Sequence, residues 1–251
     1  MKTKIHISDK FSGLSDFISD LPNNYDRVGD LIYNGRNEVR TVKVNGLVLV
    51  IKYFKRMTLA NRFIYAMFRK TKAQRAFEYA AWLLDKGITS PENVAYVDCY
   101  EHSMLVKSFF VNIYTDYKPI KDLFTLSISD SEEGLKAFAR FTYQLHRKGV
   151  FHYDYSVSNI LFSNNDGVYD FALIDNNRMK ISKYSFRRGI KTLNRLAIPV
   201  ERMGIVAAEY ARVSGVNDLE MLNAMVLIRL LHQLRNVIKQ WLKAPIRYLI
   251  R

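Results

Sequence analysis

Phe151-His152-Tyr153-Asp154-Tyr155-Ser156-Val157-Ser158-Asn159-Ile160-Leu161-Phe162 is the stretch whose reading decides the fold. It places a histidine two residues before a carboxylate and an amide five residues after it. The apolar run Ile160 to Phe162 follows at once and reads as a short strand. Beyond a polar turn at Asn164 to Gly167, a second apolar run, Phe171-Ala172-Leu173-Ile174, ends in Asp175. Singly, these residues are commonplace, since an Asp after a helix usually turns or caps the chain and a loop Asn is commoner still. Their setting distinguishes them. The segment Glu132 to Lys148 precedes them, with Leu135, Phe138, Ala139, Thr142 and Leu145 at helical spacing and Gly149 at its end.

Upstream the pattern changes from helical to alternating. Glu38 to Val44 and Leu47 to Phe54 are β-rich runs joined by Asn45-Gly46, a pair that tolerates the positive φ of a type I′ turn and so predicts a hairpin. Asp30 to Tyr33 adds a strand, and Val94 to Tyr100 with Met104 to Phe110 predicts a second pair. Leu59 to Phe68 and Lys72 to Lys86 read as helices, the second ended by Gly87. Lys118 to Phe124 reads as a short helix, and helices dominate after Asp175. The expectation is an α+β, two-lobe plan: a β-rich N-lobe with one main helix over residues 1–112, and a mostly helical C-lobe over residues 113–251. The lobe boundary is expected near Asn112 to Lys118.

His152-x-Asp154 with Asn159 before a strand, and Asp175 at the end of the next strand, resembles the catalytic loop and metal-binding acid of the protein-kinase-like superfamily. Val48-Leu49-Val50-Ile51-Lys52 resembles its Val-Ala-Ile-Lys strand. The resemblance implies a phosphotransferase using ATP and Mg²⁺. Asp154 would be the catalytic base, and Asn159 and Asp175 the metal ligands. Lys52 would hold the α- and β-phosphates, and Glu78 on the helix Lys72 to Lys86 would pair with it. His152 would brace the loop rather than move protons.

Within the superfamily the chain looks most like the bacterial lipopolysaccharide core kinases of the Kdo/WaaP family. The cues are its compact, basic character, Lys70-Thr71-Lys72-Ala73-Gln74-Arg75-Ala76-Phe77-Glu78-Tyr79, the turn Gly87-Ile88-Thr89-Ser90-Pro91, and the His-x-Asp-x-x-x-x-Asn-Ile-Leu loop. That resemblance implies phosphorylation of a sugar hydroxyl, on Kdo or heptose of the lipopolysaccharide inner core, at the cytoplasmic face of the inner membrane. Several departures mark the chain off from regulated protein kinases. The glycine loop reduces to Asn34-Gly35-Arg36-Asn37-Glu38, Asp175 is followed by Asn176-Asn177 instead of Phe-Gly, and Ile198-Pro199-Val200-Glu201 is at best a distant echo of Ala-Pro-Glu. Ser156 stands two residues after Asp154, where a lysine is usual. A RIO-like atypical serine/threonine protein kinase is the alternative that Ser156 keeps open.

Composition bounds the partners. The chain has 251 residues, 49% hydrophobic, with a formal charge of +14 and one cysteine, Cys99. No internal disulfide is possible, and neither an export signal nor a membrane span is legible, which points to a reducing interior. The charge is clustered: Lys52 to Arg75 holds eight Lys/Arg and no acid, and Arg178 to Arg202 holds eight against Glu201 alone. Lys239, Lys243, Arg247 and Arg251 accompany Trp241, Tyr248, Leu249 and Ile250 near the end. Clustered cations with aromatic residues suit an anionic membrane surface, giving a peripheral protein. A nucleic-acid partner is disfavoured because no recognised binding signature accompanies the charge.

Overall fold

The computed structural model describes residues 1–196 and 198–248, with side chains as far as Trp241. It divides into two compact units. The first comprises Met1–Tyr117 with Ala172–Arg178, and the second Lys118–Phe171 with the chain from Met179 onward.

The first unit is built on a six-stranded sheet of β1 (Lys2–Ile7), β2 (Asp30–Asn34), β3 (Glu38–Val44), β4 (Leu47–Tyr53), β5 (Asn93–Glu101) and β6 (Met104–Ile113). The strand order is β1-β5-β6-β4-β3-β2, and every pairing is antiparallel. The Asn45-Gly46 turn closes β3 onto β4 with φ of 49° and 80°, the backbone those residue types were expected to permit. Side chains alternate along β4. Leu49 and Ile51 enter a core with Val97, Cys99, Phe109 and Val111, covered by Ile18 and Leu21 of α1 (Ser15–Asn24). Lys52 lies opposite Phe110, whose ring packs against the smaller cluster Phe54, Ala73, Phe77 and Tyr96. α2 (Leu59–Met67) and α3 (Lys72–Asp85) follow β4. β1 and α1 were not anticipated. The alternation at the N-terminus resembles a polar tail until β5 supplies the pairing partner that makes it an edge strand.

The start of α3 is tied to the sheet. Thr71 Oγ1 caps the helix by accepting from Gln74 N, and it donates to Asp98 Oδ2 at 2.7 Å; Ser108 donates to Asp98 Oδ1 at 2.7 Å. Asp98 is buried, and that burial pushes its carboxyl up from 3.8 to about 6, against the opposing pull of the two hydroxyls and of Lys4. The folded state therefore holds this proton more tightly than the unfolded chain. Its contribution to stability is fully present below about pH 4 and is lost as pH rises through 6, roughly 3 kcal/mol across the window. Urea unfolding of wild type and Asp98→Asn between pH 4 and 7.5 should show the wild-type advantage shrinking as pH rises. A difference that does not change with pH would place the titration of Asp98 elsewhere.

The second unit is mainly helical. α5 (Ile128–Arg147) is capped by Ser127 and buries Leu135, Phe138, Ala139, Thr142 and Leu145, the stripe legible in the sequence. It begins four residues earlier than Glu132, because Ser127 rather than the acidic pair provides the cap. Gly149 ends it at φ 79°, and a Cβ there would stand 2.4 Å from the Ser182 carbonyl oxygen. Lys118 to Phe124 divides into β7 (Lys118–Pro119) and α4 (Ile120–Leu123), since β9 (Ile160–Asn165) recruits Lys118 and Pro119 as partners of Phe162 and Leu161. β10 (Val168–Leu173) completes that sheet in the order β10-β9-β7. β8 (Val150–His152) pairs with β11 (Met179–Ile181), a two-strand ribbon too short to leave a sequence pattern. α6 (Phe186–Leu193), α7 (Val200–Ser214) and α8 (Asp218–Tyr248) follow. Of the expected basic-aromatic stretch near the end, Lys239 and Trp241 are exposed on α8. The side chains of Lys243, Arg247 and Tyr248, and residues Leu249, Ile250 and Arg251 entirely, lie outside the described residues.

Candidate active site

Each unit carries part of the residue set singled out above. In the first, the Lys52 ammonium, at the end of β4, pairs with Asp175 Oδ1 at 2.8 Å. Asp175 adopts φ 56°, a left-handed backbone that Asp tolerates better than most residues. The segment is pinned from both sides. Leu173 N donates to the Thr89 carbonyl at 3.1 Å, Ser90 Oγ donates to the Leu173 carbonyl at 2.9 Å, and the buried Asn176 donates to Ser90 Oγ at 3.0 Å. Asn177 donates to Asp175 Oδ1. The Gly87 to Pro91 turn thus anchors the strand end that presents Asp175. The Asn176-Asn177 pair, which in the sequence is only a missing Phe-Gly, orients that carboxylate.

The expected Lys52–Glu78 pair is not formed in this structure. Glu78 accepts instead from Lys70 at 2.7 and 2.9 Å and from Gln74 at 3.0 Å. The reason is the rotation of α3. Its apolar face, Ala73, Ala76, Phe77, Ala80 and Leu83, is buried. Glu78 follows Phe77 by one residue, about 100° around the helix, and so faces its own N-terminal turn.

The same region holds cations that sequence reasoning had not selected. The Lys72 ammonium lies over the Phe54 ring at 5.8 Å, and that of Lys52 lies over the same ring at 5.5 Å. Burial first, then the nearby charges of Arg36, Arg178 and Arg75, lowers the Lys72 pKa, while Asp175 opposes the shift. Lys72 has no carboxylate within ion-pairing distance among the described residues. Several cations therefore gather near one acid, an imbalance that fits a polyanion such as a triphosphate. The signal available in the sequence was the acid-free run Lys52 to Arg75, which marked the charge but not which members turn inward.

In the second unit the catalytic-type loop is held by its own backbone. Asp154 N donates to Nδ1 of the buried His152 at 3.2 Å, and Asn159 Nδ2 donates to the Asp154 carbonyl at 2.8 Å. Asn159 N donates to the Ser156 carbonyl at 3.0 Å. On either side of Asp154, Tyr155 is buried with its hydroxyl 2.8 Å from Thr142 Oγ1, and the Tyr153 carbonyl accepts from Arg195 at 2.9 Å. His152 braces the loop, the role foreseen for it. With its Nδ2 committed to the loop, Asn159 keeps its amide oxygen for another partner. β9 and β10 are hydrogen-bonded neighbours, so the chain enters their hairpin just after Asn159 and leaves it just before Asp175. Among the described residues no three His, Cys, Asp or Glu side chains cluster as a metal cage.

Beside Asp154 the second unit opens into a cavity of about 1020 Å³. Asp154 and Ser156 form part of its wall, Arg187 and Lys191 come from α6, and Leu227 and Leu231 from α8. A carboxylate, several cations and aliphatic side chains lining one space can receive an acceptor that is both acidic and partly apolar.

A family model described as lipopolysaccharide kinase (Kdo/WaaP) family matches residues 33–216. No curated protein matches the sequence. Among solved structures, WaaP in complex with acyl carrier protein is similar, with a TM-score of 0.62 and 16% identity over 94% of this chain and 98% of that one. The Rio2 kinase–ADP/Mg²⁺-phosphoaspartate complex from Chaetomium thermophilum gives a TM-score of 0.49 at 16% identity, covering 87% and 76%. MAP kinase LmaMPK10 from Leishmania major gives 0.44 at 15%, covering 85% and 65%. The fold is α+β and protein-kinase-like.

Proposed function

Because this chain belongs to the lipopolysaccharide kinase (Kdo/WaaP) family and is thus a phosphotransferase, we propose that it moves the γ-phosphate of ATP onto a sugar hydroxyl of the lipopolysaccharide inner core, on Kdo or a heptose. The observation that carries the reading is the cavity in which Asp154 shares a wall with Arg187 and Lys191. Carboxylate or phosphate groups on an acidic sugar find cations there, and the aliphatic side of α8 suits the apolar part of a glycolipid. Asp154 orients the acceptor hydroxyl and takes its proton. Lys52 and Lys72 bind phosphate oxygens of the nucleotide. Asn159 and Asp175 would hold Mg²⁺, which when bound supplies charge neutralisation at those oxygens. The Lys52–Asp175 pair keeps the proposed phosphate-binding ammonium and the proposed metal-binding carboxylate side by side.

The acceptor is borne by a membrane and ATP is cytoplasmic, so the protein works at the cytoplasmic face, peripheral to an anionic bilayer. No described helix is long and apolar enough to cross a membrane. The test is transfer of labelled γ-phosphate to purified core glycolipid. Label on the sugar is expected, and it should require a divalent cation. Label found only on protein serine or threonine would favour the RIO-like alternative, and absence of transfer to the core would overturn the proposal.

A further inference from the structure

Among the described residues, α2 shows an apolar face that stays exposed. Of its nine residues only Tyr65 is buried. Leu59, Phe63 and Met67, spaced i, i+4 and i+8 along one stripe, are 71%, 50% and 59% exposed, and Phe68 just beyond is 77% exposed. These are large side chains on an ordered helix. Thr58 Oγ1 caps it by accepting from Asn61 N, and the Phe63 and Phe68 rings sit edge to face at 6.1 Å, which joins the stripe into one patch. Contiguous exposed apolar surface of this kind marks a contact with something outside the chain.

The surrounding charge says what that something is. Exposed Lys55, Arg56, Arg69 and Lys70 flank the helix, and the run Lys52 to Arg75 contains no acid. Lys55 and Lys70 pair with Glu38 and Glu78, whereas Arg56 and Arg69 have no carboxylate within ion-pairing distance among the described residues. Apolar side chains along one face with uncompensated arginines at both ends describe a helix that lies in a lipid headgroup layer, its stripe in the acyl boundary and its cations on anionic headgroups. We propose that α2 is the element that docks this protein on an anionic lipid bilayer, with Leu59, Phe63, Met67 and Phe68 entering the interface and Arg56 and Arg69 meeting the headgroups. The inference rests on the reading that the acceptor is membrane-borne. It assigns to α2 a role that charge patterning alone distributed over the whole chain.

Two variants test it on the intact protein: Phe63→Gln/Met67→Gln/Phe68→Gln, and Arg56→Gln/Arg69→Gln. Every altered side chain is exposed, so both should fold. Co-sedimentation is measured with phosphatidylglycerol-containing and pure phosphatidylcholine vesicles across a salt series, and phosphate transfer is measured in parallel on a delipidated, soluble core oligosaccharide. Wild type should bind the anionic vesicles, more weakly as salt rises, because the attraction is screened over about 10 Å at 0.1 M. Each variant should lose about tenfold or more of that binding and keep its transfer to the soluble acceptor. Vesicle binding equal to wild type in both variants overturns the inference while leaving the membrane reading intact. A wild type that binds no vesicles overturns it too, and makes α2 a face for a protein partner. Failure of transfer to the soluble core by wild type is the separate result that would count against the kinase reading itself.

Discussion

Asp154→Asn is expected to lower phosphate transfer to the core glycolipid by at least about 10²-fold while leaving nucleotide affinity little changed. The substitution keeps the size of the side chain and removes its charge and basicity. Two contacts of the loop survive it, because they run through the backbone of Asp154: its N–H donates to His152 and its carbonyl accepts from Asn159. Tyr155 and the Tyr153 carbonyl hold the flanks independently of the carboxylate. A loss of turnover at an unchanged unfolding midpoint reads as loss of the base rather than collapse of the loop. Unfolding midpoints and nucleotide titrations of the variant provide the control. Near wild-type turnover on the true acceptor would show that the chemistry lies elsewhere.

Asp175→Ala should remove the dependence on magnesium. In wild type, Mg²⁺-ATP at a hundredfold excess over Kd should raise stability by about 2.7 kcal/mol, and EDTA should reduce the gain. Asp175 acts on Lys72 against the surrounding cations, and it also pairs with Lys52. Its removal leaves Lys52 and Lys72 without that counter-charge. Metal-free ATP should then bind the variant at least as well as it binds wild type, with no further stabilisation from Mg²⁺. Turnover should fall by at least about 10²-fold, as for other losses of charge stabilisation at a transferring group. Thermal shifts with ATP, in magnesium or in EDTA, check each part. A variant still stabilised further by magnesium would withdraw Asp175 from the metal site.

Much of the fold was legible because its signals are local. The Asn45-Gly46 turn, the buried stripe of α5 and the glycine ends at Gly87 and Gly149 depend on a few residues each, and the structure places them as their chemistry requires. The elements that escaped notice depend on distant partners. β1 is a strand because β5 lies beside it, β8 because β11 does, and Lys118–Pro119 because β9 recruits them. Lys72 escaped notice for a related reason. A lysine in an acid-free run reads as one solvated charge among eight, and only the packing of α3 against Phe54 turns it inward.

The sequence by itself determined the order of the elements and the chemical identity of the candidate residues: a lysine closing a strand, an aspartate and an asparagine five apart in a loop, an aspartate after the next hairpin. Spacing along the chain specifies these, since turn chemistry and side-chain periodicity act over a few residues. Which acid meets Lys52 was decided by the tertiary structure alone. Glu78 and Asp175 are both carboxylates and both distant in sequence. The choice followed from the burial of Ala73, Phe77 and Ala80, which rotates Glu78 toward Lys70, and from the Thr89, Ser90 and Asn176 hydrogen bonds, which hold Asp175 within 2.8 Å of the ammonium. Packing of an apolar helix face and the pairing of buried polar groups are properties of the assembled chain, and no local pattern encodes their outcome.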